Sequence, residues 1–157
     1  MSFTVNYDKA TTQTRYMKAG GHNATIKYVS IKEFEKEVEL EGGDLVRVIH
    51  ENINILLENA NGEIVWDTIF HNLNETGEYL VYDEKRLNMY SVAVEIPNGT
   101  HFNTINEWID YVTGRKLFVS VNENNYTNRA GKEVSGVRAG FVKKYDKNLD
   151  VEEGIAF

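Results

Sequence analysis

The residue types best suited to chemistry lie in one alternating segment, residues 115–122 (RKLFVSVN). Successive side chains of a strand point to opposite faces, so a core on one face leaves the Phe118 ring beside Lys116 on the other. An aromatic ring offers any base a stacking platform, and a neighbouring cation can follow the phosphates. The segment therefore predicts a strand that binds single-stranded nucleic acid. Its core face consists of Leu117, Val119 and Val121.

A second alternating segment, residues 134–142 (VSGVRAGFV), is predicted to pair with the first as a hairpin. Arg138 lies between Gly136 and Gly140 on one face, where glycines let a backbone or a base approach closely. The opposite face, which is expected to join the core, carries Val137, Ala139 and Phe141. The polar loop 124–132 between the two strands adds Tyr126, Arg129 and Lys132.

Other aromatic residues have two possible roles. Trp66 and Phe70 share one face of a strand-like segment, and Tyr28 follows Lys27 in an earlier one. Each ring either packs in the core or stacks on bases, and Phe118 could instead close a second small core under an N-terminal arm. The predicted nucleic-acid-binding residues are Lys27, Tyr28, Trp66, Phe70, Arg115, Lys116, Phe118, Tyr126, Arg129, Lys132, Arg138 and Lys143.

The elements that must position these residues are five strands, with a helical insertion between the third and the fourth. Alternation and β-branched residues mark the strands, and apolar residues at helical spacing mark two helices. The predicted strands are 24–31, 45–57, 64–70, 115–122 and 134–142, and the predicted helices are 82–94 and 104–112. This all-β order with minor helix is that of an OB-fold barrel, whose strand face binds oligonucleotides. A β-sandwich stays open, and segment 33–43 is either a strand extension or a short helix.

The domain organisation follows from the lack of internal breaks. Pro97 is the single proline, and no Gly/Ser-rich linker divides the 157 residues. We expect one OB-fold domain over residues 1–147, with an N-terminal arm over 1–21 and a flexible acidic tail over 148–157. In the arm, Tyr16 lies between Arg15 and Lys18, so this segment could cover a bound strand.

The net charge of −7 at first argues against nucleic acid as a partner, but the charge is unevenly distributed. Residues 1–32 carry five basic residues and one acidic residue, and residues 115–147 carry eight and three, which gives +4 and +5. Residues 33–114 carry four basic and seventeen acidic residues, or −13, and the last ten residues carry −3. A local basic face can hold a polyanion on an acidic protein, so the total does not exclude DNA.

Several classes of function lack a signal. The absence of cysteine excludes disulfides, a thiol nucleophile and Cys-ligated metal sites. No phosphate-binding loop motif occurs, and the four histidines are isolated, so we expect no cofactor, no metal and no enzymatic activity. No apolar run approaches the roughly 18 residues of a membrane span, and the start lacks a signal-peptide pattern, so a cytoplasmic protein without a membrane partner is expected. A metal-dependent nuclease using the acidic middle, and a β-sandwich structural or interaction protein of a virion, stay as alternatives.

The chain ends DVEEGIAF, in which acidic residues precede a small apolar tip. Such a peptide can steer towards a partner by its charge and place a terminal ring in a pocket, although docking as an edge strand is the alternative. The predicted partner-binding residues are Asp150, Glu152, Glu153, Ile155 and Phe157.

Together, the strand order, the 115–142 hairpin and the EEGIAF ending resemble the single-stranded DNA-binding proteins (SSB) of bacteria and their phages. The resemblance covers about residues 20–145, and Ile155 and Phe157 match the family's tip, whereas Ala156 stands where proline is usual. It implies a sheath on single-stranded DNA during replication, recombination and repair, a tail that recruits proteins of those processes, and a dimer or tetramer. The short linker and the large middle insertion make the chain resemble a phage-encoded member more closely than a bacterial one. This resemblance implies that the protein acts in the cytoplasm of the host.

Overall fold

The computed structural model of the protein describes residues 2–6, 14–74, 76–77 and 80–149. Long strands dominate it, and two short helices precede the last two strands. The strands are β1 (Gly20–Glu39), β2 (Leu45–Glu58), β3 (Ile64–Ile69), β4 (His71–Leu73), β5 (Leu80–Tyr82), β6 (Lys116–Thr127) and β7 (Glu133–Lys143). The helices are α1 (Glu84–Ala93) and α2 (Ile105–Val112).

Five of the strands form one antiparallel sheet in the order β3-β2-β1-β6-β7, and β4 and β5 form a separate two-stranded sheet. The long β1 serves two partners, since residues 25–39 pair with β2 and residues 20–25 pair with β6. The outermost strands, β3 and β7, approach each other, so the sheet curls into a partly open barrel. Five strands with this pairing, and helices inserted before the fourth, define an OB-fold, which confirms the predicted fold class.

The core fills the inside of this barrel. Leu117, Val119 and Val121 are buried there as predicted, together with alternating residues of β1, β2 and β3. Trp108 of α2 is 3% exposed, and its indole N–H donates to the hydroxyl oxygen of Ser91 at 2.9 Å. The helical insertion therefore closes the barrel by packing its apolar side onto the same core.

Polar groups begin both helices. The Asp83 carboxylate accepts from the backbone N–H groups of Lys85 and Arg86 at the start of α1. The Thr104 hydroxyl accepts from Glu107 N–H at the start of α2. These caps satisfy N–H groups that have no partner within a helix.

Three local predictions need correction or completion. Segment 33–43 is a strand extension as far as Glu39, and the turn lies at residues 40–44. The polar loop predicted over 124–132 is shorter in the structure, because β6 continues to Thr127 and leaves a turn over residues 128–132 before β7 begins at Glu133. The small β4–β5 sheet was not predicted, since strands of three residues are too short to show a period.

The prediction that Phe141 faces the core is wrong, and a β-bulge is the reason. Val119 pairs with Val142 and Val121 pairs with Ala139, so the strand β7 has an extra residue between these pairs. A bulge shifts the alternation of the strand that carries it. Val142 is therefore buried in the core, and Phe141 is exposed on the outer face.

Candidate nucleic-acid interface

An apolar row crosses the outer face of three neighbouring strands. Tyr28 of β1 pairs with Leu56 of β2, and Leu56 pairs with Trp66 of β3. Directly paired residues of antiparallel strands point to the same face. Tyr28 is 54% exposed and Trp66 is 47% exposed, so both rings lie outside the core and the core alternative is wrong for both.

The N-terminal arm adds a fourth segment beside β3. Tyr16 forms a parallel bridge with Ile64, and Met17 N–H donates to Ile64 C=O at 2.9 Å. Ile64 N–H in turn donates to the carbonyl of Arg15 at 2.9 Å. Met17 is buried in the core, which anchors the arm, while the Tyr16 ring is 56% exposed. Tyr16 is not among the predicted nucleic-acid-binding residues, because a single bridge has no sequence period.

A polar row lies beside the apolar one on the same face. Ser30 pairs with Asn54 and Asn54 pairs with Thr68, whose hydroxyl donates to the Asn54 amide oxygen at 3.1 Å. Phe70 follows β3 directly and is exposed, so it too lies outside the core. The face therefore offers both rings for stacking and polar groups for hydrogen bonds. We call the surface formed by Tyr16, Tyr28, Ser30, Asn54, Leu56, Trp66, Thr68 and Phe70 the aromatic face.

Lys27 lies at the border of the aromatic face. It is the extra residue of a bulge in β1, where the pairing shifts between Ile26 and Tyr28. Its ammonium group contacts the Glu58 carboxylate at 2.9 Å. A phosphate at this position would have to compete with that carboxylate.

Phe118 belongs to a second group on the outer face, between β1 and β7. Lys143 places its ammonium nitrogen 4.6 Å from the Phe118 ring centroid, and the Phe141 ring lies 6.2 Å away between centroids. A Cβ added at Gly21 would overlap Cζ of Phe118. The ring is thus half-buried against the β1 backbone, and a base could stack on it only by displacing Lys143.

The space beside Gly140 is also occupied. A Cβ added there would lie 2.5 Å from the Ser120 hydroxyl oxygen and 2.7 Å from the Asn122 amide nitrogen. The Ser120 oxygen accepts from Phe141 N–H at 2.9 Å, which satisfies the bulged backbone. Close approach at Gly140 therefore serves the packing of β6 on β7.

The cations predicted near the start of β6 face different surroundings. The Arg115 guanidinium lies 4.4 Å from the Tyr111 ring centroid, and its Nε donates to the Tyr111 carbonyl at 3.1 Å. Lys116 lies 5.6 Å from the Tyr145 ring centroid. These two residues border the end of α2 and the segment after β7, and Lys116 pairs with Thr25 of β1.

The hairpin of β6 and β7 carries the remaining predicted residues. Arg129 and Lys132 lie in its exposed turn, where Asn128 accepts from the N–H groups of Ala130 and Lys132. Arg138 is exposed on β7, opposite Asn122. Tyr126, which is 52% exposed, lines a cavity together with Tyr16 of the arm. The hairpin and the aromatic face are therefore neighbours.

Two polar clusters lie behind these surfaces, and no sequence pattern predicted either of them. Asp67 faces the barrel interior, where one of its carboxylate oxygens accepts from Arg86 and from the Tyr90 hydroxyl at 2.6 Å. Burial and this carboxylate raise the pKa of Tyr90 well above its usual value. The second cluster lies at the β4–β5 sheet, where Glu51 N–H donates to His71 Nδ1 at 3.0 Å and burial lowers the pKa of His71. Burial and the Glu51 carboxylate raise the pKa of Tyr82.

Two kinds of site lack structural support. Among the described residues, no group of three or more His, Asp or Glu side chains is placed to hold a metal ion. Within the same ranges, neither helix is long and apolar enough to cross a membrane.

The tail residues Asp150, Glu152, Glu153, Ile155 and Phe157 lie outside the described residues.

The fold and the exposed rings define an OB-fold protein with an aromatic outer face. The model of a family described as "Protein of unknown function (DUF669)" matches residues 3–148, so the chain belongs to that family. No curated protein matches the chain. One solved structure similar to it is "Yeast RPA bound to ssDNA", with a TM-score of 0.44 and 9% identity over 98% of this chain and 93% of that one.

Proposed function

We propose that the protein binds single-stranded DNA on its aromatic face and protects it without strong sequence preference. The observation that carries the proposal is the row of Tyr28, Leu56 and Trp66, with the exposed Tyr16 ring on a fourth segment beside β3. Exposed rings side by side on a sheet are a platform for successive bases. Each stacked base contributes roughly 1–3 kcal/mol by alanine substitution, and every base has a ring face to stack.

Cations at both borders of the aromatic face support the proposed binding of single-stranded DNA. Lys18 follows the anchored Met17 in the arm, and Lys27 lies next to Tyr28. Arg129 and Lys132 lie in the turn of the β6–β7 hairpin, and Tyr126 of the same hairpin shares a cavity with Tyr16. Neutralised phosphates release counterions, so the affinity should fall steeply with salt.

The wider role of the protein is part of the proposal. The protein coats exposed strands during DNA replication, recombination or repair, as a dimer or tetramer, and it is not an enzyme. Its acidic tail, with Phe157 at the tip, recruits other proteins of these processes. We expect the protein to be encoded by a phage and to act in the cytoplasm of the bacterial host.

The test is a fluorescence titration with oligo-dT at two salt concentrations. Trp66 is exposed and Trp108 is buried, so quenching on binding reports on the aromatic face. We expect quenching, an affinity that falls steeply between the two salt concentrations, and no cleavage of the oligonucleotide with Mg²⁺ present. No binding at low salt would contradict the proposal. Metal-dependent cleavage would favour a nuclease, and large assemblies without strand binding would favour a virion protein.

A further inference from the structure

A polar cavity of about 540 Å³ lies where β1 passes from one partner strand to the other. β1 pairs with β6 up to Thr25 and with β2 from Thr25 onwards, so a space opens beside its first residues, where β2 turns away towards β3. The β2–β3 turn and the segment after β7 border this space. Among the residues that line it are Asn23, Thr25, Glu58, Asn61, Lys116 and Tyr145.

The cavity adjoins the aromatic face on the same side of the sheet. Thr25 pairs with Glu58 on one side and with Lys116 on the other, and directly paired residues of antiparallel strands point to the same face. Leu56, which belongs to the aromatic face, lies two residues before Glu58 on β2. Residues two apart on a strand share a face and are separated by about 7 Å. A DNA strand stacked on the aromatic face is therefore within reach of the cavity.

The segment after β7 brings Tyr145 to the same face. Asn23 lies two residues before Thr25 on β1 and thus points to the same side. Its amide nitrogen donates to the Asp146 carbonyl at 2.7 Å, and its amide oxygen accepts from Asp146 N–H at 3.0 Å. These two bonds hold the segment in place, and the Lys116 ammonium nitrogen lies 5.6 Å from the centroid of the half-buried Tyr145 ring. The face of an aromatic ring attracts a cation, so Tyr145 fixes the direction of the Lys116 side chain.

Lys116 is the cation that is left for a ligand. Lys27 donates to both Glu58 carboxylate oxygens, at 2.9 and 3.1 Å, which neutralises that carboxylate. Among the residues that the structure describes, no carboxylate lies within ion-pair distance of the Lys116 ammonium group. Thr25 and Asn61 add a hydroxyl and an amide group to the lining. A cation together with neutral hydrogen-bond donors is an environment that suits a phosphate group.

We propose that a phosphate of the bound DNA strand lies in this cavity against Lys116, and that Tyr145 positions the Lys116 ammonium group for it. The proposal rests on the proposed binding of single-stranded DNA. It adds one phosphate contact beside the aromatic face and gives the segment after β7 a part in DNA binding. Tyr145 is not among the predicted nucleic-acid-binding residues, because its place beside Lys116 depends on the bonds between Asn23 and Asp146 and not on a local period.

The experiment measures the affinity for oligo-dT at several salt concentrations. Each neutralised phosphate of a single strand contributes about −0.7 to the slope of log K against log salt concentration. Lys116→Gln should therefore weaken binding at low salt and make the slope shallower by about 0.7. Lys144→Gln is the matched control, because it removes the same charge from a residue whose ammonium group bonds to Glu95 at 2.9 Å. This variant should keep the wild-type slope.

Variants of Tyr145 test the positioning role. Tyr145→Phe keeps the ring and should keep the wild-type slope, whereas Tyr145→Ala should make the slope shallower. Because Tyr145 acts through Lys116, Tyr145→Ala should lower the affinity no further in a protein that already carries Lys116→Gln. A ring that only stabilised the fold would weaken binding equally in both backgrounds.

The outcomes separate the proposals. A wild-type slope in Lys116→Gln, or an equally shallow slope in Lys144→Gln, would overturn the phosphate site and leave the binding of DNA standing. A wild-type slope in Tyr145→Ala, or an equal further loss of affinity in the double variant, would overturn the role of Tyr145. Failure of the wild-type protein to bind oligo-dT at low salt would overturn both the phosphate site and the proposed binding of DNA.

Discussion

Arg86 donates two hydrogen bonds to one carboxylate oxygen of Asp67, from Nε at 2.9 Å and from Nη2 at 2.5 Å. The pair joins α1 to β3 inside the barrel, and both side chains are largely buried. Asp67 directly follows Trp66, which points to the opposite side of the same strand. The position of the helical insertion and the position of the aromatic face therefore depend on one strand.

Removing the carboxylate should be strongly destabilising. Asp67→Ala leaves a buried guanidinium without its partner, a loss that typically costs about 3–5 kcal/mol. The same carboxylate oxygen also accepts from the Tyr90 hydroxyl. Tyr90→Phe removes only this hydrogen bond and should lower the free energy of unfolding by about 1 kcal/mol. Urea unfolding of the two variants measures both values. A loss of less than about 1 kcal/mol for Asp67→Ala would show that the pair contributes little.

Gly140→Ala should destabilise the protein, whereas Gly136→Ala should be tolerated. The added Cβ at residue 140 would meet Ser120 and Asn122 at distances that require both side chains to move. We expect a loss of roughly 1–3 kcal/mol. At residue 136 the nearest atom would lie at 3.5 Å, an ordinary contact, so this variant is the matched control. Thermal unfolding of both proteins tests the difference, and equal stabilities would contradict the packing described for the bulge.

Truncation of the exposed rings should weaken DNA binding without unfolding the protein. Trp66→Ala and Tyr28→Ala should each raise the Kd for oligo-dT by the equivalent of roughly 1–3 kcal/mol, because each removes a stacking surface. Val92→Ala removes an exposed apolar side chain from α1 and should leave the Kd unchanged. Fluorescence anisotropy with a labelled oligonucleotide measures all three. Unchanged affinity in both ring variants would place the DNA elsewhere.

Stability should decrease with acidity because of His71. Its pKa in the folded protein is lowered by burial, whereas an unfolded histidine titrates near 6.5. The neutral ring is favoured by folding, since Nδ1 accepts from Glu51 N–H and a proton there would oppose that bond. This contribution is fully present above about pH 6.5 and is lost as the pH falls towards the lowered value.

NMR titration of the ring signals gives the pKa of His71 directly, and unfolding at several pH values gives the slope. His71→Asn should flatten the decrease in unfolding free energy below about pH 6.5. His101→Asn, on an exposed loop, is the control and should keep the slope. A pKa for His71 at or above about 6.5 would contradict the prediction.

Deletion of residues 152–157 should leave DNA binding unchanged or tighter. The deletion removes two acidic residues and the chain terminus, whose negative charge would otherwise compete with DNA for the basic surface. Anisotropy titrations of the full-length and the shortened protein give the comparison. Weaker binding after deletion would count against a tail that serves protein partners.

Sequence alone determined the order of the elements. Alternation identified all five strands of the barrel and the core face of Leu117, Val119 and Val121, because inward positions of a strand repeat every second residue. Helical spacing identified α1 and α2 for the corresponding reason. These periods are local properties, and a single sequence carries them in full.

Only the tertiary structure decided which rings lie together. The bulge that turns Phe141 outward depends on the pairing of β6 with β7, and the bridge of Tyr16 to Ile64 joins residues far apart in the chain. The partner of Asp67 comes from a helix nineteen residues later. Register and long-range pairing arise from packing between elements, which no local period encodes, and they determine the aromatic face and the cavity behind Tyr126.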